Sequence, residues 1–397
     1  MQIPIFRGGG CMTIIFLHNI FEKSINGEWG NEDSGKGEAT AVIRTSNFLN
    51  SGRLNLDNIV CREIDKDKNS DKILRTGDII IEKSGGSPNQ PVGRVVYFDV
   101  TDQDYFTNNF TSILRVKPEY NSKYIFYLMK YLYDTKKVLK FQNQTTGIIN
   151  LKLADYLNKT KVNIETIENQ NTIVDILDRL EYQIINRNKQ ISELSNLVKS
   201  RFNEMFGDPV LNDMGWEKHA LKEFGIWKSG GTPKRNEEDF FRGHIPWITS
   251  GELEHKYIKD SFEKITKKAI ECSSAKIIEK GSLLLGMYDT AGLKSSINTK
   301  VMSCNQAIAF AKLDDRITDT IYVYYVIQNL RSMLLNQQRG VRQKNFNLSM
   351  IKNISIPLPP LSLQNEFADF VAQVNKSQFA CGIVIKLWRN SLKSSII

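Results

Sequence analysis

Apolar and polar positions along the chain repeat in two successive halves. In the first half a glycine turn leads into an apolar run, Gly77-Asp78-Ile79-Ile80-Ile81, and the second half contains the matching run Gly281-Ser282-Leu283-Leu284-Leu285. Each run predicts a turn that feeds a buried strand. Aromatic-rich stretches with helical spacing follow, from Tyr124 to Tyr133 and from Ile321 to Leu330. Such internal repetition predicts two related domains.

Each half ends in a long segment with a heptad pattern. Between Thr166 and Phe206 there is neither glycine nor proline, and apolar residues recur in steps of four and three. This seam, with Arg187 as its one polar exception, consists of Ile173, Leu177, Leu180, Ile184, Arg187, Ile191, Leu194 and Val198. The seam of the second half consists of Phe367, Val371, Val374, Gln378, Cys381, Ile385, Trp388 and Leu392. Two seams in the same register within one chain predict that the helices pack against each other.

The repeat predicts a mixed α/β (α+β) fold with an internal pseudo-two-fold, in which two tandem domains are separated by two long helices that form an antiparallel coiled coil. The expected segments are a lead-in over 1–12, a first domain over 13–165, a spacer helix over 166–206, a linker over 207–215, a second domain over 216–361 and a C-terminal spacer helix over 362–397. Such a helix pair would act as a ruler that holds the two domains at a fixed separation.

Charge and composition narrow the possible partners and the compartment. Lysine and arginine number 53 against 44 aspartate and glutamate, a net charge of +9 that favours a polyanionic partner, although many unrelated proteins are equally basic. The five scattered cysteines and four histidines show no metal-ligand spacing, which predicts free thiols and no metal site. The apolar run Met12 to Leu17 is too short for a membrane span, so we expect a cytoplasmic protein.

The sequence shows no catalytic motif. Gly30 to Gly37 has the glycine and Gly-Lys spacing of a phosphate-binding loop, but it ends in glycine where serine or threonine should hold Mg²⁺. Pro359-Pro360 lacks the flanking residues of an adenine methyltransferase motif and is expected to end a strand. The pattern therefore predicts a binding protein that catalyses no reaction itself.

Several motifs together resemble a known family. The second half opens with Trp227-Lys228-Ser229-Gly230-Gly231-Thr232-Pro233, followed by Ile245-Pro246-Trp247-Ile248-Thr249, and the first half has the variants Gly27-Glu28-Trp29-Gly30 and Val42-Ile43-Arg44. The first long helix ends in Lys199-Ser200-Arg201-Phe202-Asn203-Glu204-Met205-Phe206-Gly207, the most specific string. From about Leu17 to the C-terminus, the chain resembles the specificity (S) subunits of Type I restriction–modification enzymes.

The resemblance implies function and partners. Each domain would be a target recognition domain that reads one half of a split site in double-stranded DNA, and the helices would fix the gap. Two methyltransferase (M) subunits would dock on the helices and methylate adenine with S-adenosylmethionine. Two restriction (R) subunits would add ATP-driven translocation and cleavage. The S subunit itself would bind none of S-adenosylmethionine, ATP or Mg²⁺.

Three regions of each domain are candidates for DNA contact: the turn near its start, the turn after the buried strand and the polar loop after the aromatic helix. Arginine suits guanine, and asparagine or glutamine suits adenine. The candidates in the first domain are Arg44, Thr45, Asn47, Ser84, Ser87, Asn143, Gln144 and Thr146, of which the last three belong to a polar loop predicted from Asn143 to Gly147. Those in the second are Lys234, Arg235, Trp247, Thr249, Ser250, Tyr288, Arg339, Arg342, Gln343 and Lys344. Lys234 and Arg235 are expected to help bind a phosphate, and Arg44, Thr45 and Asn47 to correspond to Trp247, Thr249 and Ser250.

Alternatives to these interpretations stay open at this point. The arginine-rich loop from Gln337 to Asn345 could be merely solvated, and the helical spacing of the aromatic stretches favours core packing over base stacking. The whole chain could instead be a DNA enzyme that acts alone, such as a nuclease with an unrecognised site. It could also be a coiled-coil adaptor without sequence preference.

Overall fold

A computed structural model describes residues 13–35, 39–87, 89–145, 148–288, 292–339 and 345–394, without the side chains of 144–145, 337–339 and 391–394. The chain divides into two compact units. The first contains Met1–Arg187 and Ile383–Ile397, and the second contains Asn188–Gly382.

Twenty-two strands and seven α-helices are present in the described ranges. The strands of the first unit are β1 (Thr13–Phe16), β2 (Phe21–Asn26), β3 (Ala39–Ile43), β4 (Val60–Glu63), β5 (Ile79–Glu82), β6 (Ser84–Gly86), β7 (Val95–Tyr97), β8 (Tyr105–Thr107), β9 (Thr111–Val116), β10 (Gln142–Thr145), β11 (Ile148–Leu151) and β12 (Lys161–Ile164). Those of the second are β13 (Lys218–Ala220), β14 (Lys228–Ser229), β15 (Ile245–Ile248), β16 (Tyr257–Ile258), β17 (Glu263–Ile265), β18 (Leu283–Gly286), β19 (Ser295–Asn298), β20 (Ser303–Cys304), β21 (Ile308–Ala311) and β22 (Ser355–Pro357). The α-helices are α1 (Ser122–Asp134), α2 (Leu153–Lys159), α3 (Ile167–Phe206), α4 (Lys267–Glu271), α5 (Thr320–Arg339), α6 (Leu348–Lys352) and α7 (Leu361–Ser394). Short 3-10 helices cover Leu17–Ile20, Thr45–Asn47, Ser70–Lys72, Leu139–Phe141, Leu221–Glu223, Glu238–Phe241 and Ser250–Glu252.

The first unit is organised around strand β5. Its four-stranded antiparallel sheet has the order β2-β9-β5-β7, and a second sheet has the order β4-β3-β8 with β3 parallel to β8. Ile79 and Ile81 lie in one core cluster with helix α1, whereas Ile80 lies in another cluster with Ile43. Because successive side chains point to opposite faces of a strand, covering both faces requires an uninterrupted apolar run. The predicted buried strand is confirmed.

The second unit repeats this construction. Its five-stranded sheet has the order β14-β21-β18-β19-β16, and its three-stranded sheet has the order β17-β15-β20 with β15 parallel to β20. Leu283 and Leu285 pack in one cluster with Tyr322 of α5, while Leu284 packs in another cluster. Tyr322 is fully buried and Tyr124 of α1 nearly so, which confirms core packing as the role of the aromatic helices.

Helices α3 and α7 contact each other within the second unit. Phe202 of α3 and Phe367 of α7 have ring centroids 5.5 Å apart, and Arg201 Nη2 lies 2.8 Å from Glu366 Oε1. Further along, Gln378 Nε2 of α7 donates to Ser195 Oγ of α3 at 2.9 Å. Residue numbers rise on one helix as they fall on the other, so the pair is antiparallel. The described side chains at the predicted seam positions of both helices are buried or half-buried.

Candidate nucleic-acid interface

A small three-stranded sheet of the first unit contains several of the candidate DNA-contacting residues. Strands β10 and β11 form an antiparallel hairpin, and β11 also pairs with β6. Asn143 is exposed and lies opposite Asn150 in the hairpin register, and Ser84 Oγ donates to Asn150 Oδ1 at 2.6 Å. The structure therefore brings together the candidates Ser84 and Asn143, which are far apart in sequence.

The polar loop predicted from Asn143 to Gly147 is wrong over its first half, since residues 143–145 belong to β10. Gln144 pairs through its backbone with Ile149, and its side chain lies outside the described residues, as does the whole of Thr146. The polar side chains of residues 143–145 are typical of a loop, which is why the sequence predicted one. Backbone pairing with β11 makes it a strand.

Ser87 lies in the exposed turn that follows β6. Its amide donates to the carbonyl of Gln90 at 2.8 Å, and its hydroxyl accepts from the amide of Gln90 at 3.1 Å. Gln90 Nε2 in turn donates to Asn50 Oδ1 at 3.2 Å. These bonds connect Ser87 with Gln90, and Gln90 with Asn50. Lys83, just before Ser84, donates to Asn26 Oδ1 at 2.7 Å, and burial lowers its pKa.

The turn from Arg44 to Asn47 forms the second candidate region of this unit. Arg44 and Thr45 are half-buried, but Asn47 is only 3% exposed. Its Oδ1 accepts from the amide of Arg44 at 2.9 Å, and its Nδ2 donates to the carbonyl of Asn55 at 2.9 Å. Asn47 therefore holds the turn together from inside, and a direct contact of its side chain with DNA is not supported.

An ion pair between half-buried Arg94 and buried Glu82 supports the same turn. Arg94 Nε and Nη2 donate to the two carboxylate oxygens of Glu82 at 2.8 and 3.0 Å. The guanidinium also donates to the carbonyl of Thr45 at 3.2 Å and to that of Phe48 at 3.4 Å. Since Glu82 ends β5 two residues before the start of β6, Arg94 links the turn to the strand that leads into the small sheet.

The matching turn of the second unit runs from Thr249 to Glu252. Thr249 donates through its amide and its hydroxyl to Glu252 Oε2, at 2.8 and 2.9 Å. The amide of Asn305 donates to the carbonyl of Ile248 at 2.9 Å, just as that of Asn108 donates to Ile43 at 3.0 Å. Arg44 thus corresponds to Thr249, Thr45 to half-buried Ser250 and Asn47 to Glu252, which corrects the expected correspondence.

Trp247 is a core residue. It is 1% exposed, and its Nε1 donates to the carbonyl of Gly231 at 3.0 Å. The Arg235 guanidinium lies 4.9 Å from the Trp247 ring centroid and pairs with both carboxylate oxygens of Glu263. A direct DNA contact by Trp247 is therefore not supported, because its ring is covered and its only donor is used. Arg235 and its neighbour Lys234 remain exposed.

The remaining candidates of the second unit are Tyr288, which follows the C-terminal end of β18, and the residues of the predicted arginine-rich loop. Tyr288, 38% exposed, follows this strand, and the amide of Phe346 donates to the carbonyl of Met287 at 2.8 Å. In the first unit the amide of Leu151 donates to the carbonyl of Lys83 in the equivalent way. Lys83 therefore corresponds to Met287, and Ser84 to Tyr288. The loop predicted from Gln337 is wrong at its start, because α5 continues through Arg339. The side chain of Arg339 and the whole of Arg342, Gln343 and Lys344 lie outside the described residues.

Two further surface residues were not among the candidates. Asn150 shares the sheet of Asn143, but this is visible only once the strand register is known. Phe262 is 95% exposed, and its amide donates to Glu252 Oε1 at 2.9 Å, so it is anchored to the Thr249–Glu252 turn. A single phenylalanine among polar residues gives no sequence signal. Solvent exposure is what distinguishes it.

Within the ranges given above, no helix is long and apolar enough to cross a membrane. In those same ranges, no group of three or more histidine, cysteine, aspartate or glutamate residues is arranged to hold a metal ion.

Comparison with known proteins identifies a family. The family described as type I restriction modification DNA specificity domain matches residues 12–196 and 214–381. The type I restriction enzyme MjaIX specificity subunit of Methanocaldococcus jannaschii is 25% identical over 178 residues, which cover 43% of this chain and 41% of that relative. The EcoR124I/EcoR124II specificity subunit of Escherichia coli is 25% identical over 217 residues, which cover 51% of this chain and 50% of that relative.

A solved structure extends the likeness to the fold of the whole chain. The S subunit of a type I restriction-modification system from M. genitalium has a TM-score of 0.60 at 14% identity, with 99% of this chain and 97% of that chain covered. The alignments with the two curated relatives, by contrast, span half of their lengths or less. Since the family match extends over both repeats and most of the sequence, the chain belongs to the family of type I restriction modification DNA specificity domains.

Proposed function

We propose that this chain is the DNA-specificity subunit of a Type I restriction–modification enzyme, and that each unit reads one half of a bipartite site. The observation that carries the proposal is the duplication. The same pair of sheets is built twice, and each copy presents an equivalent turn, at Arg44–Asn47 and at Thr249–Glu252. Phosphate contacts set affinity and register, while contacts with base edges set sequence. Two different reading surfaces on one scaffold suit a site with two different halves.

The chemistry in this proposal belongs to partner subunits. Two methyltransferase subunits dock on α3 and α7 and methylate adenine N6 with S-adenosylmethionine, and two restriction subunits use ATP and Mg²⁺ to translocate and cleave DNA. This chain binds none of these cofactors and acts in the cytoplasm. The antiparallel contact between α3 and α7 supports a role for the helices in fixing the gap between half-sites.

Methylome sequencing tests the proposal. Cells that express the chain with its methyltransferase subunit should carry N6-methyladenine in a bipartite motif that is absent when this gene is deleted. Replacement of residues 216–361 by the corresponding domain of a relative should change one half of that motif only. A change in both halves would refute modular reading. Cleavage or methyl transfer by the purified chain alone, with DNA, Mg²⁺ and S-adenosylmethionine, would overturn the non-catalytic role.

A further inference from the structure

The outer face of the small sheet β10-β11-β6 carries two neighbouring carboxamides. In the hairpin Gln142 lies opposite Leu151, and Asn143 lies opposite Asn150. Leu151 is 7% exposed, and Gln142 Nε2 donates to the carbonyl of Val92 at 2.7 Å, so this pair packs onto the unit. Because side chains alternate between faces, the next pair, Asn143 and Asn150, belongs to the opposite, outer face.

Ser84 completes a row across the three strands. It pairs with Asn150 in the register of β6 and β11, and its hydroxyl donates to Asn150 Oδ1 at 2.6 Å. This bond fixes the direction of the Asn150 amide, and the carbonyl oxygen keeps a second lone pair. Asn143 is exposed, and its side-chain carboxamide has no hydrogen-bond partner among the residues that the structure describes. One amide is therefore held in place and the other is available.

The dimensions and composition of this face suit a groove of DNA. Strands lie about 4.8 Å apart, so the row from Ser84 to Asn143 is about 10 Å wide, while the major groove is about 12 Å wide and admits a two-stranded ribbon. The three strands carry no charged side chain. Such a face has no arginine for guanine and no carboxylate for cytosine, whereas a carboxamide matches the N6 donor and N7 acceptor of adenine. Ile148, 49% exposed on the same face, could contact a thymine methyl group.

We infer that Asn143 and Asn150 determine specificity for an adenine–thymine pair in the half-site of the first unit, and that Ser84 positions the Asn150 amide. The inference rests on the proposed function and deepens it, since it names the base that this surface reads. It assigns a role in recognition to Asn150, which the sequence did not single out.

The test uses the complex of the full chain with its methyltransferase subunit. Methylome sequencing first defines the two half-sites, and the exchange of residues 216–361 shows which half belongs to the first unit. If no bipartite motif appears, the proposed function itself fails. If one appears, 7-deazaadenine, which lacks the N7 acceptor, replaces each adenine of the first half-site in turn. At one position or more, binding should weaken by about 5- to 150-fold.

Variants then connect that adenine to the sheet. N143A and N150A should bind unmodified DNA more weakly by a similar factor, and at least one of them should lose further sensitivity to 7-deazaadenine. S84A should give a smaller loss than N150A. The matched control is N163A, which changes another exposed asparagine, on β12 of the same unit, and should bind and discriminate like the wild type. Thermal unfolding checks folding, and N143A alters an exposed side chain without a described partner. The inference is overturned if no adenine of this half-site is sensitive, or if N143A and N150A both remain as sensitive as the wild type.

Discussion

Substitution of Phe367 tests the helix contact on which the fold depends. Phe367 is fully buried, and its ring lies 5.5 Å from that of Phe202, 5.4 Å from that of Phe206 and 5.3 Å from that of Tyr325. Truncation of a buried phenylalanine to alanine costs about 3 to 5 kcal/mol, from lost transfer free energy and the remaining cavity. Phe379 on the same helix is 67% exposed, so F379A should change the free energy of unfolding by only about 0.5 kcal/mol.

The assay is urea unfolding of the full chain, followed by tryptophan fluorescence. Trp216, Trp227 and Trp247 all lie in the second unit and report on its transition. With a slope of about 2 to 3 kcal/mol per molar urea, F367A should lower the midpoint of that transition by about 1 to 2.5 M. F379A is the control with the same chemical change on the same helix. Equal, small effects of the two substitutions would refute the packing of α7 against α3.

Three other substitutions test single features of the two units. Burial lowers the pKa of Lys256 to about 8 from its ordinary 10.5. The folded protein therefore loses this proton at a lower pH than the unfolded chain, and the free energy of unfolding rises between those two pH values. K256M should flatten this rise in pH-dependent melting curves, and an unchanged rise would contradict a buried amine. F262A should weaken DNA binding by the complex about 5-fold or more without lowering the melting temperature, whereas L211A, which removes a side chain 74% exposed, should not. R94K cannot reproduce the bidentate contact with Glu82, so methylome sequencing should show relaxed specificity in one half-site. Relaxation of both halves, or of neither, would argue against support of the Arg44–Asn47 turn.

The features that the sequence predicted correctly are those that depend on periodicity. Ile79-Ile80-Ile81 and Leu283-Leu284-Leu285 must be buried on both faces, and an uninterrupted apolar run is sufficient to indicate this. The heptad seams likewise follow from spacing alone, and Arg187 and Gln378 did not interrupt them because half-buried polar side chains are tolerated at such positions.

The features that the sequence could not predict depend on partners distant in the chain. Residues 143–145 are polar like a loop, and only pairing with β11 makes them a strand. Asn47 and Trp247 have chemistry suited to DNA contact, but each uses its donors on backbone carbonyls within its own unit. Composition identifies residue types that can bind DNA. It does not separate those that face solvent from those that hold a turn together.

The two units share equivalent main-chain hydrogen bonds, although the side chains beside these bonds differ. The carbonyls of Ile43 and Ile248 accept equivalent amide bonds, and so do those of Lys83 and Met287. At the position after the second of these bonds, the first unit has Ser84 and the second unit has Tyr288. Because the shared bonds involve only main-chain atoms, they do not restrict the neighbouring side chains. A chain built in this way can exchange surface residues while its two cores stay unchanged. Under the proposed function, this is the physical basis for expecting that one half-site can be altered without affecting the other.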